Sequence, residues 1–320
     1  MLLTTTIGSF PKPDYIVKAR ARLGRGEISR DEMTTLERKA TEEVIRTQEK
    51  LGLDVLVDGE IYRGDMTTYF AEIMEGFKIS GLVRSYGNRY YRKPIVVGPV
   101  RRKGPMTVDW FLYAQGLTEK PVKGMLTGPY TMTDWSFNEY YPTRRDLVIE
   151  FAEQLHEEVV DLEKAGARYI QIDEPAISTR PDEISLAIEG LRIVTKGLRV
   201  KTITHICYGE FEKVYPKILD LPVDQIALEM SNSGYDLLSL IKKHPFTKEL
   251  GLGVLDVHSH TIEKKEKVKE GILQALEVIP PDRVVVNPDC GLKTRTAEEA
   301  YQKLKVMVEA VGEIRNELKL

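Results

Sequence analysis

Eight short apolar or β-branched runs alternate along the chain with longer stretches of helical period, and this alternation predicts an α/β protein built on a parallel sheet. Two further observations narrow the class. The chain has 320 residues, enough to bury one large core. The runs also end in the polar and glycine residues that line the carboxyl ends of barrel strands. The expected architecture is a single (β/α)8 TIM barrel over residues 1–320, with a β-hairpin inserted between strands two and three at about residues 80–118.

Strand one is read in LLTTTI at 2–7 and strand two in DVLVD at 54–58, an apolar core between two acids. The interval to strand three is too long for one helix, and RYYRKPIVVGPVRRKGPMTV within it reads as the hairpin. Strand three is VKGMLT at 122–127. The helix that follows opens at Thr143 with Asp146 three residues on, a capping-box pattern. Leu147, Phe151, Leu155, Val159 and Leu162 recur at helical spacing, and Gly166 stands at the stop. Strand four is RYIQID at 168–173, five KTITHI at 201–206, six QIALEM at 225–230, seven LGLGVLDV at 250–257 and eight RVVVNP at 283–288. The closing helix repeats the pattern, with Thr296 and Glu299 ahead of Leu304, Met307, Val308 and Val311.

A formal charge of −3 and an isoelectric point near 6.1 provide no electrostatic footprint for nucleic acid or an anionic membrane. Small molecules are the expected partners. The opening MLLTTTIGSF lacks the basic and apolar regions of a signal peptide, and no apolar run reaches the ~18 residues that span a bilayer. The expected location is the cytoplasm, where two cysteines would stay reduced as thiols.

Those two cysteines carry the chemistry. His205 and Cys207 lie two apart at the end of strand five, which puts both side chains on one face of a strand. Glu229 ends strand six and Cys290 follows strand eight, so a barrel would close an N, O, S2 site suited to one Zn2+ per chain. Buried thiols packed beside a hydrogen-bonded histidine are the competing reading, and a purely structural zinc site is another. Two thiolates and a carboxylate make zinc a poor generator of hydroxide. They suit it to keeping a substrate thiol as a nucleophilic thiolate, so the expected chemistry is alkyl transfer to sulfur.

IGSF, GLDVLVDGE, KGMLTGP, QIDEPA, THICY and VNPDCGLKTR occur in order from Ile7 to about Arg295, and together they resemble the catalytic half of the cobalamin-independent methionine synthase family. The resemblance implies a (β/α)8 barrel, one zinc ion held by His205, Cys207, Glu229 and Cys290, and methyl transfer to L-homocysteine to give methionine. It implies that Ile7 and Ser9 hold the homocysteine backbone and that Glu60 and Asp173 receive its ammonium group. His258 stands nearby as the catalytic group, suited by its titration near neutral pH to serve as a proton shuttle or an electrophilic neighbour. Trp135 and Arg89 match donor-binding positions, although a corrinoid edge or plain packing would also suit Trp135. Long family members have a second barrel that closes over folate, and this chain has no counterpart of it. The expected donor is therefore a methyl corrinoid, free or on a corrinoid protein, or else 5-methyltetrahydrofolate as polyglutamate. His260 stands where the family more often has proline, which would add a titratable group at the barrel mouth. Two other readings stay open: a related zinc barrel that alkylates a different thiol, and a non-enzymatic zinc-stabilised binding module.

Overall fold

The computed structural model describes residues 2–84, 90–207, 209 and 211–320. It divides into two compact units, one formed by Met1–Tyr62, Trp110–Lys123 and Ala227–Leu320, the other by Arg63–Asp109 and Gly124–Ile226. The strands are β1 (Leu3–Thr4), β2 (Glu75–Arg84), β3 (Tyr90–Arg101), β4 (Lys123–Thr127), β5 (Phe137–Asn138), β6 (Tyr169–Asp173), β7 (Lys201–Ile206), β8 (Gln225–Leu228), β9 (Glu249–Gly253) and β10 (Val284–Asn287). The helices are α1 (Asp14–Gly24), α2 (Arg30–Leu51), α3 (Thr68–Ile73), α4 (Val108–Gln115), α5 (Pro129–Asp134), α6 (Arg144–Lys164), α7 (Ile184–Val194), α8 (Leu237–Lys243), α9 (Lys265–Leu276) and α10 (Ala297–Leu318). Among the described residues no helix is long and apolar enough to cross a membrane.

In the first unit β1, β10 and β9 form a parallel ladder, with Leu3 opposite Val285 and Val284 opposite Leu250, and β8 follows next in order. Every residue of β10 is buried, which explains why it reads as a continuous apolar run instead of alternating. Helix α2 opens with a capping box between Ser29 and Glu32 and ends at Gly52 in the left-handed conformation, φ 85°. Met33, Ala40, Val44 and Ile45 form its inward stripe.

The second expected strand is replaced by a single parallel bridge, Leu56 to Val122. Its backbone is satisfied by other means. Asp54 and Val55 donate to the Thr4 carbonyl at 3.1 Å each, while the buried Gln48 side chain of α2 takes both the N–H and the carbonyl of Val57, at 3.0 and 2.8 Å. With the N–H and carbonyl of Val57 taken by a side-chain amide, the pairing that Leu56 makes with Pro121 and Lys123 does not continue through Val57.

In the second unit β4, β6 and β7 follow one another in the sheet, and β6 pairs with β7 parallel, Tyr169 opposite Lys201. A separate three-stranded sheet pairs β2 with β3 antiparallel, Arg84 opposite Tyr90, and adds β5 parallel to β3. Pairing begins at Glu75, before the expected start at about 80. It stops short of 118, because Gly104 and Pro105 break the strand and VDWFLYAQ turns helical as α4. Phe77 packs against Phe151 of α6 with ring centroids 5.8 Å apart, which seats the hairpin on that helix.

Each unit repeats one latch at the start of its strands. Asp54 accepts from the N–H and hydroxyl of Thr4 at 2.8 and 2.7 Å, and Asp224 from those of Thr202 at 2.8 and 2.9 Å. In each case an Asp takes both the amide and the hydroxyl of a Thr on a strand, Thr4 of β1 and Thr202 of β7.

Both capping boxes anticipated in the sequence form, Thr143 with Asp146 and Thr296 with Glu299. His260, expected at the mouth, is exposed and its Nδ1 lies 2.8 Å from Glu299 Oε1. The Thr296 amide and then His260 hold the Glu299 carboxyl down, from the ordinary 4.5 to about 2. A depressed carboxyl contributes stability above its unfolded pKa and loses it as pH falls through the folded value. Glu299→Ala should therefore lower the thermal midpoint at neutral pH, and the gap to the wild type should close as pH drops from 4.5 towards 2. Thermal unfolding followed by circular dichroism across that range measures it.

Candidate metal and substrate site

Functional side chains here stand where strands give way to loops, and buried carboxylates govern those exits. His205 is on β7 and Cys207 just beyond it, both buried. The Ser178 hydroxyl donates to the Cys207 carbonyl at 2.8 Å and holds the turn. Glu229 directly follows β8 and is buried, its Oε1 lying 3.3 Å from His258 Nε2. That bond raises the His258 pKa above its usual value against the opposing effect of partial burial, and the nearby charge of Cys290 adds to the rise. The His258 amide donates to Asp256 Oδ1 at 2.8 Å, which fixes the approach of the ring.

His205 and Cys207 offer an imidazole and a thiol at the end of β7, and Cys290, half-buried, offers a second thiol after β10. One imidazole and two thiols are the donor set that zinc prefers, so the chemistry of the residues present fits such an ion. Glu229 Oε1 faces His258 Nε2.

The substrate candidates are positioned by neighbouring groups. Ile7 and Ser9 are buried after β1. The Ser9 carbonyl accepts from Leu292 at 2.7 Å, and a Cβ at Gly291 would lie 2.1 Å from Ser9 Oγ, so glycine there leaves the Ser9 hydroxyl its present position. Glu60 has φ 53°, a left-handed conformation uncommon for a residue with a side chain, held by its amide donating to Asp58 Oδ1 at 2.8 Å. Asp173 ends β6, buried, with Gln171 Nε2 donating to its Oδ1 at 2.7 Å. Trp135 caps α5, half-buried, and its carbonyl accepts from the Tyr91 hydroxyl at 3.3 Å. Arg89 lies outside the described residues.

Sequence reasoning missed two carboxylates that organise these exits. Asp289 accepts from three consecutive amides, Met230, Ser231 and Asn232. Glu174, fully buried, accepts from the amides of Tyr130 and Thr131 at 3.0 and 2.7 Å, at the start of the helix that leads to Trp135. Burial pushes Glu174 up to about 7 even against those donors. Both stand beside residues singled out as site candidates, Asp173 and Cys290, and that adjacency was the available signal.

Comparison with known proteins places this geometry. The model of the cobalamin-independent synthase catalytic domain matches residues 2–313. The chain belongs to the cobalamin-independent methionine synthase family. It is 42% identical to the methionine synthase of Saccharolobus solfataricus over all of this chain and 96% of that one, and 40% identical to that of Sulfolobus acidocaldarius. A B12-independent methionine synthase from Shewanella sp. W3-18-1, solved in complex with selenomethionine, is 30% identical and covers 99% of both chains with a TM-score of 0.88. The putative enzyme from Listeria monocytogenes shares the fold at 20% identity, with a TM-score of 0.79 over 98% of this chain. The protein is thus a methyltransferase of the TIM-barrel type, in a family whose reaction is methyl transfer to homocysteine.

Glu174→Gln should keep the fold but replace one acceptor oxygen with a donor facing an amide N–H. An unfolding loss of about 1–3 kcal/mol in urea titration is expected.

Proposed function

We propose that this chain, as one catalytic barrel over residues 1–320, transfers a methyl group to the thiol of L-homocysteine with the help of one zinc ion. The observation that carries the reading is the donor set of one imidazole and two thiols, His205, Cys207 and Cys290, each at the exit of a strand in a member of this family. In this reading Glu229 completes the ligand set. Zinc, when bound, supplies positive charge that keeps the substrate thiol ionised at neutral pH.

The chain's own residues do the remaining work. Glu60 and Asp173 offer carboxylates to the substrate ammonium group, and both are held in place beforehand by Asp58 and Gln171. Ile7 and Ser9 line the substrate backbone. His258, bonded to Glu229, stands ready to take or give a proton beside the sulfur. The cytoplasm suits a site that depends on two reduced thiols.

Trp135, with Arg89, is assigned to the methyl donor. A methyl on N5 of a folate leaves only when that nitrogen is protonated, whereas a methyl on cobalt needs no acid. Asp134, next to Trp135 in the chain, is committed to ion pairs with Arg144 at 2.9 Å and Arg180 at 2.6 Å. This favours a methyl corrinoid, free or protein-borne, over 5-methyltetrahydrofolate or its polyglutamate.

The purified protein should hold close to one zinc per chain, and Cys290→Ser should remove most of it along with methionine formation. Metal analysis after dialysis and an assay of methionine formation measure the two claims, and full zinc with full activity in the variant would sink the assignment. In a donor screen, methylcobalamin should support measurable turnover and methyltetrahydrofolate monoglutamate little. Efficient turnover with the folate alone would move the donor assignment to folate.

A further inference from the structure

We infer that Asp289 is a positioning residue that sets Glu229 through the backbone of residues 230–232, an inference that rests on the zinc reading above. Asp289 is fully buried next to Cys290. Its Oδ1 accepts from the amides of Met230 at 3.1 Å and Ser231 at 3.0 Å, and its Oδ2 from that of Asn232 at 2.8 Å. These are the three residues that follow Glu229 in the chain. Three successive N–H groups aimed at one carboxylate leave the segment little freedom in φ and ψ, so the direction in which it departs from Glu229 is set.

The carboxylate is itself anchored. The Asp289 amide donates to the Leu255 carbonyl at 3.0 Å, and a Cβ on Gly253 would lie 2.3 Å from Asp289 Oδ1, so β9 keeps glycine where the carboxylate passes. The turn it holds closes further through Gly234 to Ser231 at 3.1 Å and Tyr235 to Met230 at 2.9 Å. Asp289 thus ties the exit of β8, where Glu229 emerges, to the exit of β10, where Cys290 emerges. A residue that is not itself a ligand then fixes the spacing between two that are.

The test uses the full-length protein and two readouts: the zinc dissociation constant by competition with a chromophoric chelator, and the visible spectrum after cobalt(II) substitution. Asp289→Asn turns one acceptor oxygen into a donor that faces an N–H group. It should weaken zinc on the order of 10-fold or more and alter the cobalt bands. In a Glu229→Gln background the same change should cost little more, because the group it positions is already impaired. Asp289→Ser, measured alongside, keeps one acceptor and covers the case in which the Asn variant fails to fold. Equal weakening in both backgrounds, or no weakening in either, overturns the inference. Wild-type zinc affinity in Glu229→Gln alone would instead overturn the assignment of Glu229 as a ligand.

Discussion

Carboxylates taken out of water must collect donors, and in this protein the donors they collect are the backbone N–H groups of neighbouring loops. Stripping an ionised carboxylate of water costs several kcal/mol unless hydrogen bonds replace it. The sequence of the chain makes use of that demand. Glu158, inside α6, accepts from the amides of Met106 and Thr107 and from Arg102, and so ties down the segment that follows the β2–β3 hairpin. Glu174 does the same for the start of α5, Asp58 for the turn at Glu60, and Asp289 for the segment after β8. Without these acceptors the exits of the strands would be loops with unsatisfied donors. With them, the exits become part of the rigid scaffold.

The device has a steric companion. A carboxylate that reaches a backbone needs room, and glycine provides it at Gly128, where a Cβ would sit 2.3 Å from the Glu174 carboxyl, as it does at Gly253 beside Asp289. The opposite ends of the strands are held more simply, by an Asp that takes the amide and hydroxyl of a Thr. The two ends therefore divide their tasks. One end sets strand height with short, repeated latches, and the other spends buried charge to aim individual side chains.

Such aiming matters for chemistry at sulfur. In the reading proposed above, a thiol is held as its anion while a methyl group approaches along one line, and a misplaced ligand or ammonium-binding carboxylate would lose that alignment. The left-handed backbone at Glu60 is a small, local strain of the kind that persists where surrounding bonds over-determine it.

Local periodicity and local chemistry made most of the fold legible in the sequence. Alternation of apolar runs with helical stretches set the α/β class, and Thr143–Asp146 and Thr296–Glu299 marked helix starts because a capping box is complete within four residues. The Ser29–Glu32 box was equally local and went unread. Tertiary structure decided what depends on partners far away in the chain. Gln48 answers the backbone of Val57 and reduces the second strand to one bridge, His260 turns to Glu299 at the start of α10, and Glu229 meets His258. Asp289 reaches residues some fifty-seven to fifty-nine positions earlier, and Glu174 some forty-three to forty-four. A sequence states which groups can accept a hydrogen bond, but the folded chain alone settles which donors come within reach.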